Sequence, residues 1–237
     1  NSDLTFITNE KDKSLKQRFE VLIKDTKFFD CLVGYFYTSG FHALYKSLES
    51  TDKVRILIGI STNQQTYDLM QKANPAEQFA LQFSSAETKE QLGTAIEKEM
   101  EEAEDSEKVE DGVSKFIEWI KSGHLEIRAY PTEKIHAKVY IMTFGDEDRD
   151  KGRVITGSSN FTQAGLMDNL EFNVELKNRA DYDFALEKFN ELWKDAVDVS
   201  QKYIETIQTK TWLNDSITPY ELYLKFLYEY FKDDLNQ

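Results

Sequence analysis

Apolar and polar positions along this chain follow two periods, and the switches between them outline the fold. LTFIT (4–8) alternates residue by residue and predicts a short strand. In SLKQRFEVLIKDTK (14–27), Leu15, Phe19, Leu22 and Ile23 recur at helical spacing, so a helix is expected there. FFDCLVGYFY (28–37) is continuously apolar and rich in β-formers, the pattern of a strand buried on both faces. TSG (38–40) reads as a turn into a short helix, FHALYKSLES, and KVRILIGIST (53–62) as a second buried strand. Strand, helix, strand in that order predicts a βαβ unit with a parallel pair and a right-handed crossover.

From Gln64 to Gly123 the pattern is helical. AETKEQLGTAIEKEMEEAEDSEKVEDG is highly charged and predicts an exposed helix and a loop, whereas VSKFIEWIKSG (113–123) is amphipathic and ends on a glycine stop signal. Three strands are expected at HLEIRAY (124–130), KIHAKVYIM (134–142) and GRVITG (152–157), and a fourth at LEFNVEL (170–176). FGDEDRDKG (144–152) is a polar, hairpin-like turn, and ADYDFALEKFNELWKDAV (180–197) a further amphipathic helix. Thr218, Pro219 and Glu221 form a capping box that opens a final aromatic-rich helix. The expected architecture is α/β: a mixed, largely parallel β-sheet flanked by helices. Residues 1–200 make the domain, with an acidic helical insert at about 64–123. Residues 201–237 form a helical extension whose abrupt end predicts a further domain downstream.

Composition supports a folded core and narrows the setting. Of 237 residues, 40% are apolar and 13% aromatic, too many for a disordered chain. No apolar run approaches the roughly 18 residues of a membrane span, and NSDLTFITNEKDKS lacks the pattern of a secretory signal. Cys31 is the single cysteine, so no internal disulfide can form. A cytoplasmic setting is expected, with Cys31 as a small core residue. The net charge of −14 argues against a surface that coats nucleic acid. Residues 73–122, however, hold 13 acidic and 5 basic side chains, so more than half of the excess sits in one segment. It need not describe the field at a cleft elsewhere.

Candidate chemistry begins in KIHAKVYIM. In a strand, Ile135, Ala137, Val139 and Ile141 would face the core, and His136, Lys138, Tyr140 and Met142 the other side. His136 and Lys138 would then project from one face about 7 Å apart, a spacing suited to a tetrahedral anion. Alone, such a pair reads as the solvated face of an edge strand. The next stretch, RVITGSSNFTQAGL, changes the balance: Ser158, Ser159 and Asn160 follow a glycine at a strand end, where hydroxyls, an amide and backbone N–H groups serve as phosphate ligands. Tyr35, Tyr37 and Ser39 close a central strand and are expected to line the same cleft. His42, His124 and His136 lack metal-ligand spacing, so no metal and no cofactor is expected. Trp119, Trp193 and Trp212 read as packing residues.

His136-x-Lys138 followed by Gly157-Ser158-Ser159-Asn160 resembles the signature of the phospholipase D superfamily, and VGYFYTSGF with VRILIGIST resembles the opening βαβ of its fold. The resemblance covers most of residues 4–200 outside the insert. It implies a metal-independent phosphodiesterase in which His136 forms a covalent phosphohistidine. Lys138 and Asn160 would bind the phosphoryl oxygens, Ser158 would support that geometry, and Glu171 would orient or tune a histidine. The family places an acid five residues after the lysine, where this chain has Thr143, which bears on activity more than on fold. Two such motifs normally face each other. A chain with one implies a homodimer that pairs two copies of His136. The lone motif resembles the nuclease branch, and ITPYELYLKFLYEYF resembles the passage from such a domain into a Swi/Snf-type helicase motor. The leading expectation is therefore the nuclease domain of a DNA helicase, acting on DNA and not at a membrane. The alternatives are an inactive DNA-binding or dimerisation module, and a phospholipid-processing enzyme.

Overall fold

The computed structural model describes residues 5–10, 14–34, 36, 38–60, 107–131 and 135–210. Tyr35, Tyr37, residues 61–106 of the expected insert and the aromatic tail lie outside the described residues. The chain enters through β1 (Phe6–Ile7) and α1 (Leu15–Leu22). Ser14 caps α1 reciprocally: its hydroxyl accepts from the Gln17 N–H, and its own N–H donates to the Gln17 side chain, each at 3.2 Å. The helix ends earlier than its 14–27 pattern suggests. The Thr26 hydroxyl donates to the Leu22 carbonyl at 2.9 Å, and a 3-10 turn over Ile23–Asp25 leads directly into β2 (Thr26–Val33).

The helix α2 (Thr38–Leu48) absorbs the TSG expected as a turn, and β3 (Lys53–Ile60) follows. β2 and β3 pair in parallel, Phe28–Val33 against Lys53–Ile58, as the βαβ reading requires. The described end of the insert is α3 (Glu107–Ser122), stopped by Gly123 at φ 77°, and β4 (Leu125–Pro131) returns parallel to β3. β5 (Val139–Phe144) and β6 (Gly152–Gly157) form the expected hairpin, closed by the Phe144 N–H on the Lys151 carbonyl at 3.0 Å. A π-helical turn (Ala164–Asp168), β7 (Asn173–Leu176), α4 (Arg179–Asp195), β8 (Val197–Asp198) and α5 (Ser200–Lys210) complete the described chain.

The eight described strands form one mixed sheet in the order β1-β7-β6-β5-β2-β3-β4-β8. Its balance differs from expectation: β2·β3 and β3·β4 are parallel, and the other five pairings are antiparallel. The two parallel pairs are joined by long crossovers, whereas among the antiparallel pairs only β5·β6 is a tight hairpin, and β2·β5, β4·β8 and β1·β7 join strands distant in sequence. Two strands also start later than their patterns. β5 begins at Val139 because its ladder with β2 runs out at the Leu32–Val139 pair, near the end of β2. Residues 135–138 continue outside the ladder, and Ile135 crosses the end of β3, where a Cβ on Gly59 would lie 2.9 Å from the Ile135 Cβ. β7 begins at Asn173, leaving Glu171 on the approach to the strand.

The two faces of the sheet carry separate cores. The larger packs α1, α2, α3 and α5 on one face and encloses Phe19, Phe29, Phe41, Phe116 and Phe161. Tyr140 and Met142, expected on a polar side of β5, are fully buried in it. The smaller core joins Leu32, Leu57, Ile141 and Val154 to Tyr182, Phe189 and Trp193 of α4. Two buried carboxylates are held in place by forked guanidinium contacts. Glu175 takes Arg18 at 2.6 and 2.8 Å, and Asp30 takes Arg55 at 2.6 and 2.7 Å.

Candidate active site

His136 stands exposed on the extended segment that leads into β5, and Lys138 is half-buried two residues on. The Lys138 ammonium turns back to donate to the His136 carbonyl at 3.2 Å. Lys138 is pinned through its own carbonyl, which accepts from the Thr156 hydroxyl at 2.9 Å and from the Gly157 N–H at 3.3 Å. Those donors are the last two residues of β6. The same contact therefore sets the histidine–lysine segment directly beside the turn that begins at Gly157. That glycine has no alternative: a Cβ there would lie 2.2 Å from the Phe172 carbonyl oxygen and 2.5 Å from the Asn173 amide oxygen.

The two serines of the turn face opposite ways. Ser158 is exposed; its N–H donates to the Phe172 carbonyl at 3.1 Å, its hydroxyl accepts from the Phe172 N–H at 3.0 Å, and the same hydroxyl donates to the Glu171 carboxylate. Ser159, expected as a substrate ligand, is fully buried. Its hydroxyl accepts from the Asn173 side-chain amide at 2.8 Å, its N–H donates to the Asn173 amide oxygen at 3.3 Å, and its carbonyl takes the Tyr140 hydroxyl at 2.8 Å. Alternation at a strand end sends one hydroxyl out and the next in, so Ser159 braces the turn while Ser158 lines it.

Asn160 is half-buried, and its amide oxygen is enclosed without a hydrogen-bond partner among the described residues. Phe161 anchors the turn from behind: it bridges to Phe36, stacks on it at 5.6 Å between ring centres, and is fully buried. Ser39, in the first turn of α2, meets the far side of this loop, its hydroxyl accepting from the Gln163 N–H at 3.4 Å. Tyr37 lies outside the described residues. Of the expected site residues, Ser158 and Asn160 belong to one turn with Glu171 bonded to it, the Lys138 backbone is tied to its first residue with His136 two positions before, Ser39 flanks the turn, and Ser159 supports it from below.

Sequence reasoning passed over Asn173 and Tyr140, whose side chains hold Ser159. An amide inside the apolar alternation of LEFNVEL was the available signal, since a polar group there must be buried or bonded. Thr143 stands five residues beyond Lys138, roughly 16 Å along β5, and hydrogen-bonds the Tyr182 hydroxyl at 2.8 Å. The other histidines serve the fold. His124 lies 4.4 Å between ring centres from Trp119. His42 is wedged between α2 and Gly112 of α3, where burial lowers its pKa from 6.5 to about 4. Among the described residues, no three His, Cys, Asp or Glu side chains are grouped as metal ligands, and no helix is long and apolar enough to cross a membrane.

No curated protein matches the chain in sequence. Among solved structures, it is similar to a phospholipase D family member, Nuc, from Salmonella typhimurium: 18% identity, TM-score 0.42, covering 76% of this chain and 88% of that one. A phosphatidylserine synthase of Haemophilus influenzae is 18% identical with a TM-score of 0.48 over 97% of this chain. The archaeal chromatin protein TrmBL2 is 16% identical with a TM-score of 0.40 over 82% of this chain. The chain spans about half the length of these last two, 46% and 53%. The family described as "Cardiolipin synthase, PLD-like domain" matches residues 19–193, most of the sheet and the whole histidine–lysine and GSSN site, and by that match the chain belongs to the phospholipase D-like family.

Proposed function

We propose that this domain hydrolyses nucleic-acid phosphodiesters, as the nuclease-like part of a longer DNA helicase, through a phosphohistidine formed at His136 in a homodimeric site. The observation that carries the reading is the double acceptance at the Lys138 carbonyl, which sets the histidine–lysine segment against the GSSN turn. A phosphate seated there would meet the Lys138 ammonium, the Asn160 carboxamide and the Ser158 hydroxyl. A His136 nitrogen attacks phosphorus; the bond to the leaving oxygen breaks, and that oxygen takes a proton from His136 of a second copy. The second histidine then removes a proton from water, which attacks phosphorus and breaks the P–N bond. Phosphate ester, free enzyme and both proton states are restored. Glu171, bonded to Ser158, holds the turn and its charge beside the site. Fixed donors meet the charge that develops on the phosphoryl oxygens, so the reaction as proposed needs no metal.

Cleavage of labelled single- and double-stranded DNA in EDTA tests this, with His136→Ala as the control. Activity in the wild-type chain and its loss in the variant are expected; cleavage that persists in His136→Ala overturns the assignment. The replacement of the family acid by Thr143 favours a second reading, a DNA-binding or dimerisation module without turnover. DNA retained by the wild-type chain but left intact would select it.

A further inference from the structure

Among the described residues, Asn9 is the one non-glycine residue with a positive φ, 59°. That region is uncommon for a residue with a side chain, and an outlier held in place by its surroundings points to a task. Asn9 follows β1 and turns the chain toward α1. Glycine would meet that backbone demand alone. The asparagine adds three hydrogen bonds. Its carboxamide oxygen accepts from the Leu15 N–H at 2.7 Å, and its carboxamide nitrogen donates to the Gly165 and Asn169 carbonyls, each at 3.0 Å. Both side-chain N–H donors are thereby spent, so Asn9 has none to offer a phosphate. Gly165 lies in the π-helical turn Ala164–Asp168, and Asn169 directly follows it. That turn sits in the connection between Asn160 and Glu171.

We propose that Asn9 is a positioning residue of the candidate site, tying the start of α1 to this connection and so fixing the Asn160 carboxamide and the Glu171 carboxylate; the inference rests on the phosphodiesterase reading above. The tie reaches Asn160 through Gly165. A Cβ on Gly165 would lie 2.5 Å from the Asn160 carbonyl oxygen and 3.2 Å from its nitrogen, so the two backbones touch. The same Asn160 carbonyl accepts from the Thr162 N–H at 2.9 Å, and the Thr162 hydroxyl accepts from the Gly165 N–H at 3.0 Å. At the other end, the Glu171 N–H donates to the Thr8 carbonyl at 3.4 Å. Thr8 and Asn9 therefore hold the backbone on both sides of the π-helical turn. His136 and Lys138 are fixed separately, through Thr156 and Gly157. The site is thus assembled from two halves, and Asn9 secures the second. A role in capping α1 would need the carboxamide oxygen at most, because Ser14 and Gln17 already cap that helix. The two N–H bonds to the connection are what such a role leaves unexplained.

Two substitutions separate the bonds. Asn9→Asp tolerates the same φ and keeps an oxygen toward Leu15, but sets a carboxylate against the Gly165 and Asn169 carbonyls. Asn9→Gly suits the φ and removes all three bonds. Ser14→Ala is the control, loosening α1 without touching the connection. Urea denaturation shows that each protein is folded, and EDTA-resistant cleavage of labelled DNA gives kcat and KM. Both Asn9 variants should lower kcat at least tenfold and move KM less than threefold, because misplaced donors cost most where charge develops. Ser14→Ala should stay within twofold on both. Hydrogen exchange followed by NMR at the Gly165, Asn169 and Glu171 amides should speed up at least tenfold in the Asn9 variants, with Gly157 unchanged. A kcat within twofold of wild type in the folded variants overturns the proposal, as does unchanged exchange. A loss in Ser14→Ala as large as theirs, or failure of both Asn9 variants to fold, reduces Asn9 to a brace of the fold and overturns it too. His136→Ala separates this failure from that of the functional reading. If only that variant is inactive, the nuclease stands and the role of Asn9 falls; if the wild-type chain cleaves nothing, both fall.

Discussion

Acid should weaken this fold through His42 in a measurable and removable way. The ring is wedged between α2 and Gly112, its Nε2 is enclosed without a hydrogen-bond partner among the described residues, and burial lowers its pKa from 6.5 to about 4. The folded chain therefore keeps this imidazole neutral at pH values where the unfolded chain has protonated it. Between pH 6.5 and 4 the unfolded state binds more protons, so stability falls as pH falls through that window. A drop of about 2.5 pKa units corresponds to about 3 kcal/mol at full protonation, and to about 2 kcal/mol at pH 5. His42→Phe keeps a flat ring in the same slot, removes the titration and removes the unpaired nitrogen. At pH 7 the variant should be no less stable than the wild-type chain, because an enclosed polar atom without a partner costs about 1–3 kcal/mol. Urea denaturation followed by tryptophan fluorescence at pH 7 and pH 5 measures both effects. The difference between the two proteins cancels the carboxylates they share, and it should grow in favour of the variant by about 2 kcal/mol on acidification. Parallel losses in the two proteins would refute the assignment of this acid sensitivity to His42.

Arg18→Met should cost about 3–5 kcal/mol in the same unfolding assay, because it leaves the buried Glu175 carboxylate with Arg153 alone at 3.5 Å; a loss under about 1 kcal/mol would refute the weight given to the Arg18–Glu175 pair. Thr143→Asp, which restores the family acid, should leave DNA cleavage within about twofold: at roughly 16 Å through water two unit charges interact by about 0.3 kcal/mol. A tenfold gain in cleavage would instead identify the missing acid as what limits the site.

How much of this was legible in the chain depends on the range of the interaction that decides each feature. The βαβ unit, the β5–β6 hairpin and the capped α1 are set by neighbours within a few tens of residues, and their patterns predict them. The start of β5 at Val139 depends on where β2 stops, over 100 residues earlier, so the apolar run 134–142 overstates it. The choice between Ser158 and Ser159 depends on Asn173, on a different strand, and GSSN alone offers either hydroxyl to a ligand. The parallel content of the sheet was overestimated for the same reason, since antiparallel partners such as β2 and β5 are far apart in sequence. His136, Lys138, Asn160 and Glu171 stand out as candidates because their order is specific and because histidine is scarce, with three in the chain.

The crossing of Ile135 over Gly59 makes one hydrogen atom a structural tolerance. The clearance there sets how low the segment carrying His136 rides over the end of the sheet, so a methyl group at position 59 would lift that segment as a shim lifts a bearing. A position with no functional group, 77 residues before His136 in the chain, thus helps to set the height of the candidate site, a dependence that a substitution scan read only for side-chain chemistry would have no means of explaining.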